Sequence, residues 1–165
     1  MEMETLQDLY VDELKDLYSA ERQLIKAIPK MIKAATHPQL KKAFQDHLKK
    51  TEVHAQRLER ICEELGVSPR GKKCEGMEGL IKEGASLIQE KPEKDVLDAG
   101  LIAAAQHVEH YEMAGYGCVR TYARTLGLDT QADLLQQTLD EEGEADHLLT
   151  DIAEASINIE AEQAA

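Results

Sequence analysis

The sequence predicts an all-α protein with a single domain, a four-helix bundle that spans residues 1–165. Its 165 residues are enough for one hydrophobic core. The apolar residues are mostly Leu, Ile and Ala, with no Trp and one Phe, a composition typical of packed helices. In four long segments the apolar residues recur every three or four positions, which is the period of an α-helix with one buried face.

The limits of the predicted helices follow from these apolar stripes and from the residues that interrupt helices. Pro38 begins the second predicted helix, and Gly66 lies just beyond its end. Gly127 separates the last two predicted helices in the same way. The predicted helices span about residues 5–35, 38–65, 78–89, 93–126 and 129–159.

The lengths of the connections predict how the helices are arranged. The links near residues 36 and 127 are short, so each joins two antiparallel neighbours in a hairpin. The link from 66 to 92 is long enough to cross the bundle, and it carries the short helix at 78–89. Two hairpins joined by one long crossover form the ferritin-like connectivity. The sequence therefore predicts a ferritin-like four-helix bundle.

The charge of the chain excludes several classes of partner. The formal net charge is -13, from 32 acidic and 19 basic residues. A nucleic acid would be repelled by this field, and so would an anionic membrane surface. No apolar run approaches the length of about 20 residues that a membrane span needs. We expect neither nucleic acid nor membrane as a partner.

The cysteines and the first residues of the chain indicate a cytoplasmic protein. Cys62, Cys74 and Cys118 form an odd, widely spaced set without a Cys-x-x-Cys pair. The first residues have neither the basic region nor the apolar region of an export signal. Reduced thiols are therefore expected, either as three small apolar side chains or with a redox role for Cys74.

Ionisable side chains interrupt the apolar stripe near the middle of each long predicted helix. Glu21 falls between Leu17 and Leu24 on the first stripe. Glu109 and Glu112 are three residues apart, so both lie on the same face of their helix. The same spacing turns one acidic pair and two histidines inward on the remaining helices. The complete inward set is Glu21, His47, His54, Glu109, Glu112, Glu142 and Asp146.

A pair of divalent cations would explain these inward acids. A buried carboxylate costs several kcal/mol unless a positive charge offsets it, and the stripes contain no Lys or Arg. Carboxylate oxygens with some imidazole nitrogen suit iron or manganese. The ferritin-like template uses two single Glu residues and two Glu-x-x-His motifs. This sequence has acids and histidines at equivalent depth but not that pattern.

Several of these residues also have a structural interpretation. Glu21 could be a core acid bonded to a tyrosine. His47 and His54 could be hydrogen-bonded core residues, or could orient a carboxylate that binds the ion. Asp146 would turn toward the edge of the bundle if its helix rotated slightly. Tyr116, one turn after the last acid of its helix, could hydrogen-bond that acid or only pack in the core.

One literal Glu-x-x-His motif is expected to face water. Glu144 and His147 have the required spacing, but Glu144 lies about 160° around the helix from Glu142, at roughly 100° per residue. The stripe that contains Glu144 is mostly polar, with Gln137, Glu141 and Asp151 on it. We therefore expect neither residue of the motif to bind metal.

Three sequence motifs resemble one bacterial family. They are Leu-Tyr-Ser-Ala-Glu-Arg-Gln-Leu at 17–24, Met-Glu-Gly-Leu-Ile at 77–81 and Ala-Ala-Gln-His-Val-Glu-His-Tyr-Glu-Met-Ala-Gly-Tyr-Gly at 104–117. They look like the YciE/YciF-type bacterial stress proteins of the ferritin-like superfamily, which are related in fold to rubrerythrin and manganese catalase. The resemblance covers nearly the whole chain. It implies a compact bundle with a dimetal-type site, often dimeric, in a protein induced under stress.

One departure from the resembling family concerns the second predicted helix. The family usually has acids in the stretch after His47, where this chain has Lys49 and Lys50. If an acid there is a ligand, then His47, His54 or Glu52 would have to replace it. Alternatively, a lysine near the stripe would neutralise a carboxylate in place of one ion.

Two functions remain open from the sequence. The first is a dinuclear iron or manganese protein, likened to a ferroxidase, a peroxidase or a catalase, that handles iron, dioxygen or hydrogen peroxide. The second is a non-catalytic structural stress protein that has kept the bundle and lost the site. The lysines at 49 and 50 favour the second function, and the inward acids favour the first.

Overall fold

The computed structural model describes residues 3–164, which form a bundle of α-helices. The helices are α1 (Leu6–Ala34), α2 (Pro38–Glu64), α3 (Glu75–Glu90), α4 (Lys94–Thr125), α5 (Asp129–Ile152) and α6 (Asn158–Gln163), with a π-helical turn (Ala153–Ile157) between the last two.

Local sequence signals explain where the helices begin and end. Thr5 caps α1, because its hydroxyl accepts a hydrogen bond from Asp8 N at 3.1 Å while the Asp8 carboxylate accepts one from Thr5 N at 2.9 Å. Pro38 is the first residue of α2, where its missing N–H has no cost. Gly66 and Gly127 follow α2 and α4 with φ angles of 69° and 74°, a conformation that glycine adopts without strain.

The all-α four-helix prediction is confirmed, and the helix limits differ in two places. The crossover helix α3 begins at Glu75 rather than 78, because the Cys74 sulfur accepts a hydrogen bond from Met77 N at 3.4 Å and caps the helix earlier. The last predicted helix does not run unbroken to 159. It passes into the π-helical turn at Ala153–Ile157 and continues as α6 to Gln163.

Packing between the helices confirms the two hairpins and the crossover. Helix α1 packs on α2, and α4 packs on α5. The hairpins meet through contacts of α1 with α4 and of α2 with α5. The crossover helix α3 lies against α1 and α4 and covers that side of the bundle. All four long helices therefore turn one face toward a common interior.

A buried carboxylate joins the two hairpins at one end. Asp98, near the start of α4, accepts hydrogen bonds from the backbone N–H groups of Thr36 and His37, both at 2.8 Å, and from the Thr36 hydroxyl at 2.6 Å. Residues Thr36 and His37 form the short α1–α2 connection. Asp98 therefore satisfies the backbone of this turn and fixes the position of α4 relative to the first hairpin.

The core consists of two apolar clusters, one at each end of the bundle. The first contains Leu24, Ile28, Leu40, Phe44, Leu101 and Ile152, among others. The second contains Tyr10, Leu14, Leu58, Ile61, Val119 and Leu135, among others. On the inward stripe of α1, Glu21 lies between Leu17 of the second cluster and Leu24 of the first. The inward acids and histidines therefore lie in a polar layer with apolar packing above and below.

Candidate metal centre

Every long helix contributes to the polar layer, and the side chains in it are almost entirely removed from water. Five of them are at most 2% exposed, and the side chain of the sixth, His47, is 10% exposed. The six residues are Glu21 from α1, His47 and His54 from α2, Glu109 and Glu112 from α4, and Glu142 from α5.

These six side chains form two groups that share one residue. One ligand atom from each of His47, Glu109, Glu112 and Glu142 lies within 4.8 Å of the others, and the same holds for the atoms of Glu21, His54 and Glu142. Glu142 belongs to both groups. Each group could hold a cation, and Glu142 is the residue common to both.

The donor atoms converge without forming hydrogen bonds. His54 Nδ1 lies 2.8 Å from Glu142 Oε1 and 3.6 Å from Glu21 Oε1. His47 Nε2 lies 3.2 Å from Glu109 Oε1 and 3.8 Å from Glu142 Oε2. Neither imidazole nitrogen has a hydrogen-bond partner, and neither does either oxygen of Glu142. These nitrogen and oxygen atoms therefore point into the same space.

The unsatisfied polar atoms of the described residues are concentrated in this layer. The Glu112 carboxylate has no partner for either oxygen, and Glu21 and Glu109 each leave one oxygen unpaired. An unpaired buried polar atom costs about 1–3 kcal/mol, more when it is charged. Such a concentration of orphaned oxygen and imidazole nitrogen, with no thiolate among them, fits cations that prefer these donors.

The layer contains more acidic than basic side chains, and it is largely removed from water. Burial raises the pKa of Glu109 and of Glu112 well above the ordinary value of 4.5, and the nearby Glu142 carboxylate adds to both shifts. Burial also raises the pKa of Glu21. Without a bound cation, this part of the site therefore takes up protons.

One histidine serves as a counter-ion in the metal-free protein. Burial alone would lower the pKa of His54, but the carboxylates of Glu142 and Glu21 outweigh it and raise that pKa to about 10. Burial would raise the pKa of Glu142, but its contacts with Glu109 and His54 outweigh it and lower that pKa to about 2. An imidazolium thus lies between two acids. Burial lowers the pKa of His47, which stays neutral.

A second set of residues, which the sequence interpretation missed, orients His54. Glu141 Oε2 lies 2.7 Å from His54 Nε2, and Arg57 binds both oxygens of Glu141 at 2.8 and 2.9 Å. The Nε2–H group therefore donates to Glu141, which leaves Nδ1 directed at Glu142. The sequence places Glu141 on a polar stripe, and no pattern in it links α5 to Arg57 of α2.

Tyr116 has a partner other than the one considered from the sequence. Its hydroxyl donates a hydrogen bond to Glu21 Oε1 at 2.5 Å across the bundle, rather than to Glu112. Tyr116 is fully buried. It therefore fixes the orientation of the Glu21 carboxylate and leaves the other oxygen of that acid free.

Asp146 is the predicted site residue that the structure leaves outside both groups. Its Oδ2 atom lies 3.2 Å from His110 Nε2, and its side chain is 19% exposed.

Glu144 and His147 are exposed, as the sequence predicts. The Lys50 Nζ atom lies 3.5 Å from Glu144 Oε2. Lys49 and Glu52 are exposed. Neither lysine therefore neutralises a carboxylate of the site.

Comparison with known proteins agrees with the sequence motifs. Residues 5–162 match a family described as a domain of unknown function, DUF892. The chain belongs to this family. It is 42% identical to protein YciF of Escherichia coli (strain K12) in an alignment of 166 positions that covers 100% of both chains. The predicted membership of the YciE/YciF-type stress proteins is thereby confirmed.

Solved structures of similar proteins have the same fold. The E. coli stress protein YciF matches with a TM-score of 0.91 and 42% identity, covering 94% of this chain and 99% of that one. YcfI of Rhodopseudomonas palustris, provisionally described as a structural protein, matches with a TM-score of 0.88 and 40% identity, covering 90% and 95%. A protein of Xanthomonas campestris pv. campestris shares the fold at 23% identity, with a TM-score of 0.78 and coverage of 97% and 100%.

Proposed function

We propose that this DUF892 protein is a stress protein that binds two iron or manganese ions in its polar layer. The observation that carries the proposal is the sharing of Glu142 between two groups of ligand atoms. His54 and Glu21 would complete one position. His47, Glu109 and Glu112 would complete the other. Carboxylate oxygen with one imidazole nitrogen at each position suits iron and manganese better than thiolate-bound zinc.

Charge balance supports the same proposal. Two divalent ions would supply the positive charge that four buried carboxylates lack, and ligation needs these carboxylates ionised and His54 neutral. The Glu141–Arg57 pair lies next to His54 Nε2 and accepts its hydrogen bond, which keeps Nδ1 available. The apolar clusters on both sides of the layer limit access of water. Two such ions, when bound, can exchange two electrons with dioxygen or hydrogen peroxide.

Metal analysis of matched variants tests this proposal. We expect about two iron or manganese ions per chain in protein purified without chelators from metal-supplemented cells. Glu142→Gln should lose most of this metal, because it removes the shared ligand. Glu144→Gln, the same change on the exposed side of the same helix, and His147→Ala should keep it. Wild-type protein without transition metal would contradict the proposal, and peroxide consumption by loaded protein then tests for activity.

A structural role without metal is the second candidate, and one observation favours it. The protonated His54 between Glu21 and Glu142 already offsets part of the buried charge, so the bundle has an internal counter-ion of its own. In this case added iron or manganese would leave the melting temperature unchanged at every pH. Under the metal proposal, binding to the folded state alone raises the melting temperature as the free ion concentration rises.

We also propose a cytoplasmic homodimer as the working form. Among residues 3–164 no helix combines the length and the apolar character that crossing a bilayer requires. Cys62, Cys74 and Cys118 are free thiols in the structure. The dimer is proposed from the family resemblance, and sedimentation equilibrium of the purified protein tests it. A single species of 18.4 kDa at micromolar concentration would contradict the dimer.

A further inference from the structure

Two adjoining apolar cavities lie between the outside of the bundle and the candidate metal centre. The outer cavity, of about 70 Å³, lies where α3 packs on α1 and α4. The inner cavity, of about 20 Å³, is lined at one end by His47 and Glu109. Leu24, Met31 and Val108 line both cavities. The two spaces therefore have part of their walls in common.

The outer cavity reaches close to the surface of the protein. Its lining includes the small residues Ala27, Gly84, Ala85 and Ala104, all half-buried, and Lys30 at the exposed rim. A Cβ atom at Gly84 would lie 3.6 Å from the Ala104 Cβ, so α3 lies close to α4 here. Small side chains on both sides of this contact leave the space beneath the crossover helix.

The size and polarity of the cavities select what could occupy them. Between Lys30 at the rim and His47 at the inner end, the lining side chains are apolar. Water needs two to four polar partners to stay in a buried site, and apolar cavities of this kind remain dry and take up apolar guests. The inner space is little larger than one water molecule. It would therefore admit an uncharged molecule of very few atoms and exclude organic substrates.

We propose that these two cavities form the route by which dioxygen reaches the metal centre. The inference rests on the proposed function and deepens it, because it names dioxygen rather than hydrogen peroxide as the oxidant. Dioxygen loses no hydrogen bonds when it leaves water for an apolar cavity. Hydrogen peroxide would lose several without replacement before it reached His47 and Glu109. Val108 borders both spaces, as Leu24 and Met31 do, so we expect the size of its side chain to affect passage between them.

Gas binding tests the route independently of any activity. Xenon occupies dry apolar cavities, so crystals of the purified protein under xenon pressure should show xenon beneath α3. Dissolved dioxygen is paramagnetic, and it should broaden the NMR methyl signals of Leu24, Met31 and Val108 several-fold more than those of Leu14 in the other apolar cluster. This measurement uses protein from cells grown without added iron or manganese. The NMR spectrum of this protein also reports whether it is folded.

Matched substitutions at Val108 should change the dioxygen broadening at Leu24 in opposite directions. Val108→Ile adds one methyl group to the shared wall and should reduce both xenon occupancy and dioxygen broadening at Leu24. Val108→Ala enlarges the passage and should increase the broadening at Leu24. Val119→Ile is the control, because Val119 is also buried on α4 but belongs to the other cluster and lines neither cavity. It should leave the broadening at Leu24 unchanged.

The outcomes separate this inference from the proposed function. Protein that binds metal but shows neither xenon nor excess broadening beneath α3 overturns the route and leaves the metal centre in place. Equal broadening in the two Val108 variants also overturns the route. Protein that binds xenon but no transition metal overturns the proposed function. The cavities would then not lead to a metal centre.

Discussion

Replacing one buried acid should make the metal-free protein less sensitive to pH. Glu112 is fully buried, and neither of its carboxylate oxygens has a hydrogen-bond partner. Burial, with the Glu142 and Glu21 carboxylates, raises its pKa well above the value of 4.5 expected in the unfolded chain. Glu112→Gln keeps the shape of the side chain and removes this titration. The measured quantity is the free energy of unfolding of metal-free protein.

The sign of the effect follows from proton binding. Between pH 4.5 and the raised pKa, the folded state holds a proton on Glu112 that the unfolded state has already lost. The stabilisation is complete below the unfolded value and is lost as pH rises through the folded value. Each pH unit in this window therefore lowers the free energy of unfolding by about 1.4 kcal/mol for this one group. For a chain of this size that corresponds to about 3–6 °C in melting temperature.

Urea denaturation at several pH values from 5 to 8 measures the slope. Metal-free wild-type protein should lose stability as pH rises, through Glu109 and Glu112 together. Glu112→Gln should lose it less steeply, by up to about 1.4 kcal/mol per pH unit wherever the pH lies below the raised pKa of Glu112. Glu144→Gln, whose side chain is 71% exposed, should keep the wild-type slope. If the free energies of unfolding of Glu112→Gln and of wild type fall in parallel as pH rises, then Glu112 is not a protonated acid of the core and the charge argument fails.

Three further substitutions test the surroundings of the site. Arg57→Ala removes the partner of Glu141 and should lower metal affinity about 10–100-fold in a metal titration, as is typical for residues that orient a ligand; unchanged affinity would refute that role. Asp146→Asn should leave metal content at the wild-type value, and loss of metal would mean that the carboxylate moves inward when ions bind. Asp98→Ala removes the acceptor for the backbone N–H groups of the Thr36 turn. It should lower the free energy of unfolding in urea by at least about 2–3 kcal/mol and leave the metal content unchanged. Wild-type stability would refute the role of Asp98 in joining the hairpins.

The helices and their inward faces were predictable because both are local properties of the sequence. Apolar spacing of three and four residues sets which side of each helix is buried, and an acid on that stripe is buried with it. Glu21, Glu109, Glu112 and Glu142 are accordingly found in the interior. The start of α3 was missed because it depends on the cysteine sulfur that accepts a hydrogen bond from Met77 N. Cysteine is not among the usual capping residues.

The sequence by itself determined the bundle, its connectivity and the residues that interrupt its core. Only the tertiary structure decided which of these residues meet. Glu141 lies about 100° around α5 from Glu142, yet it contacts His54 because α2 packs beside it. Asp146 is one helical turn beyond Glu142 and lies next to His110 instead of in the polar layer. Helical periodicity fixes the direction of each side chain relative to its own helix, whereas the rotation and offset of neighbouring helices depend on how all their side chains pack together.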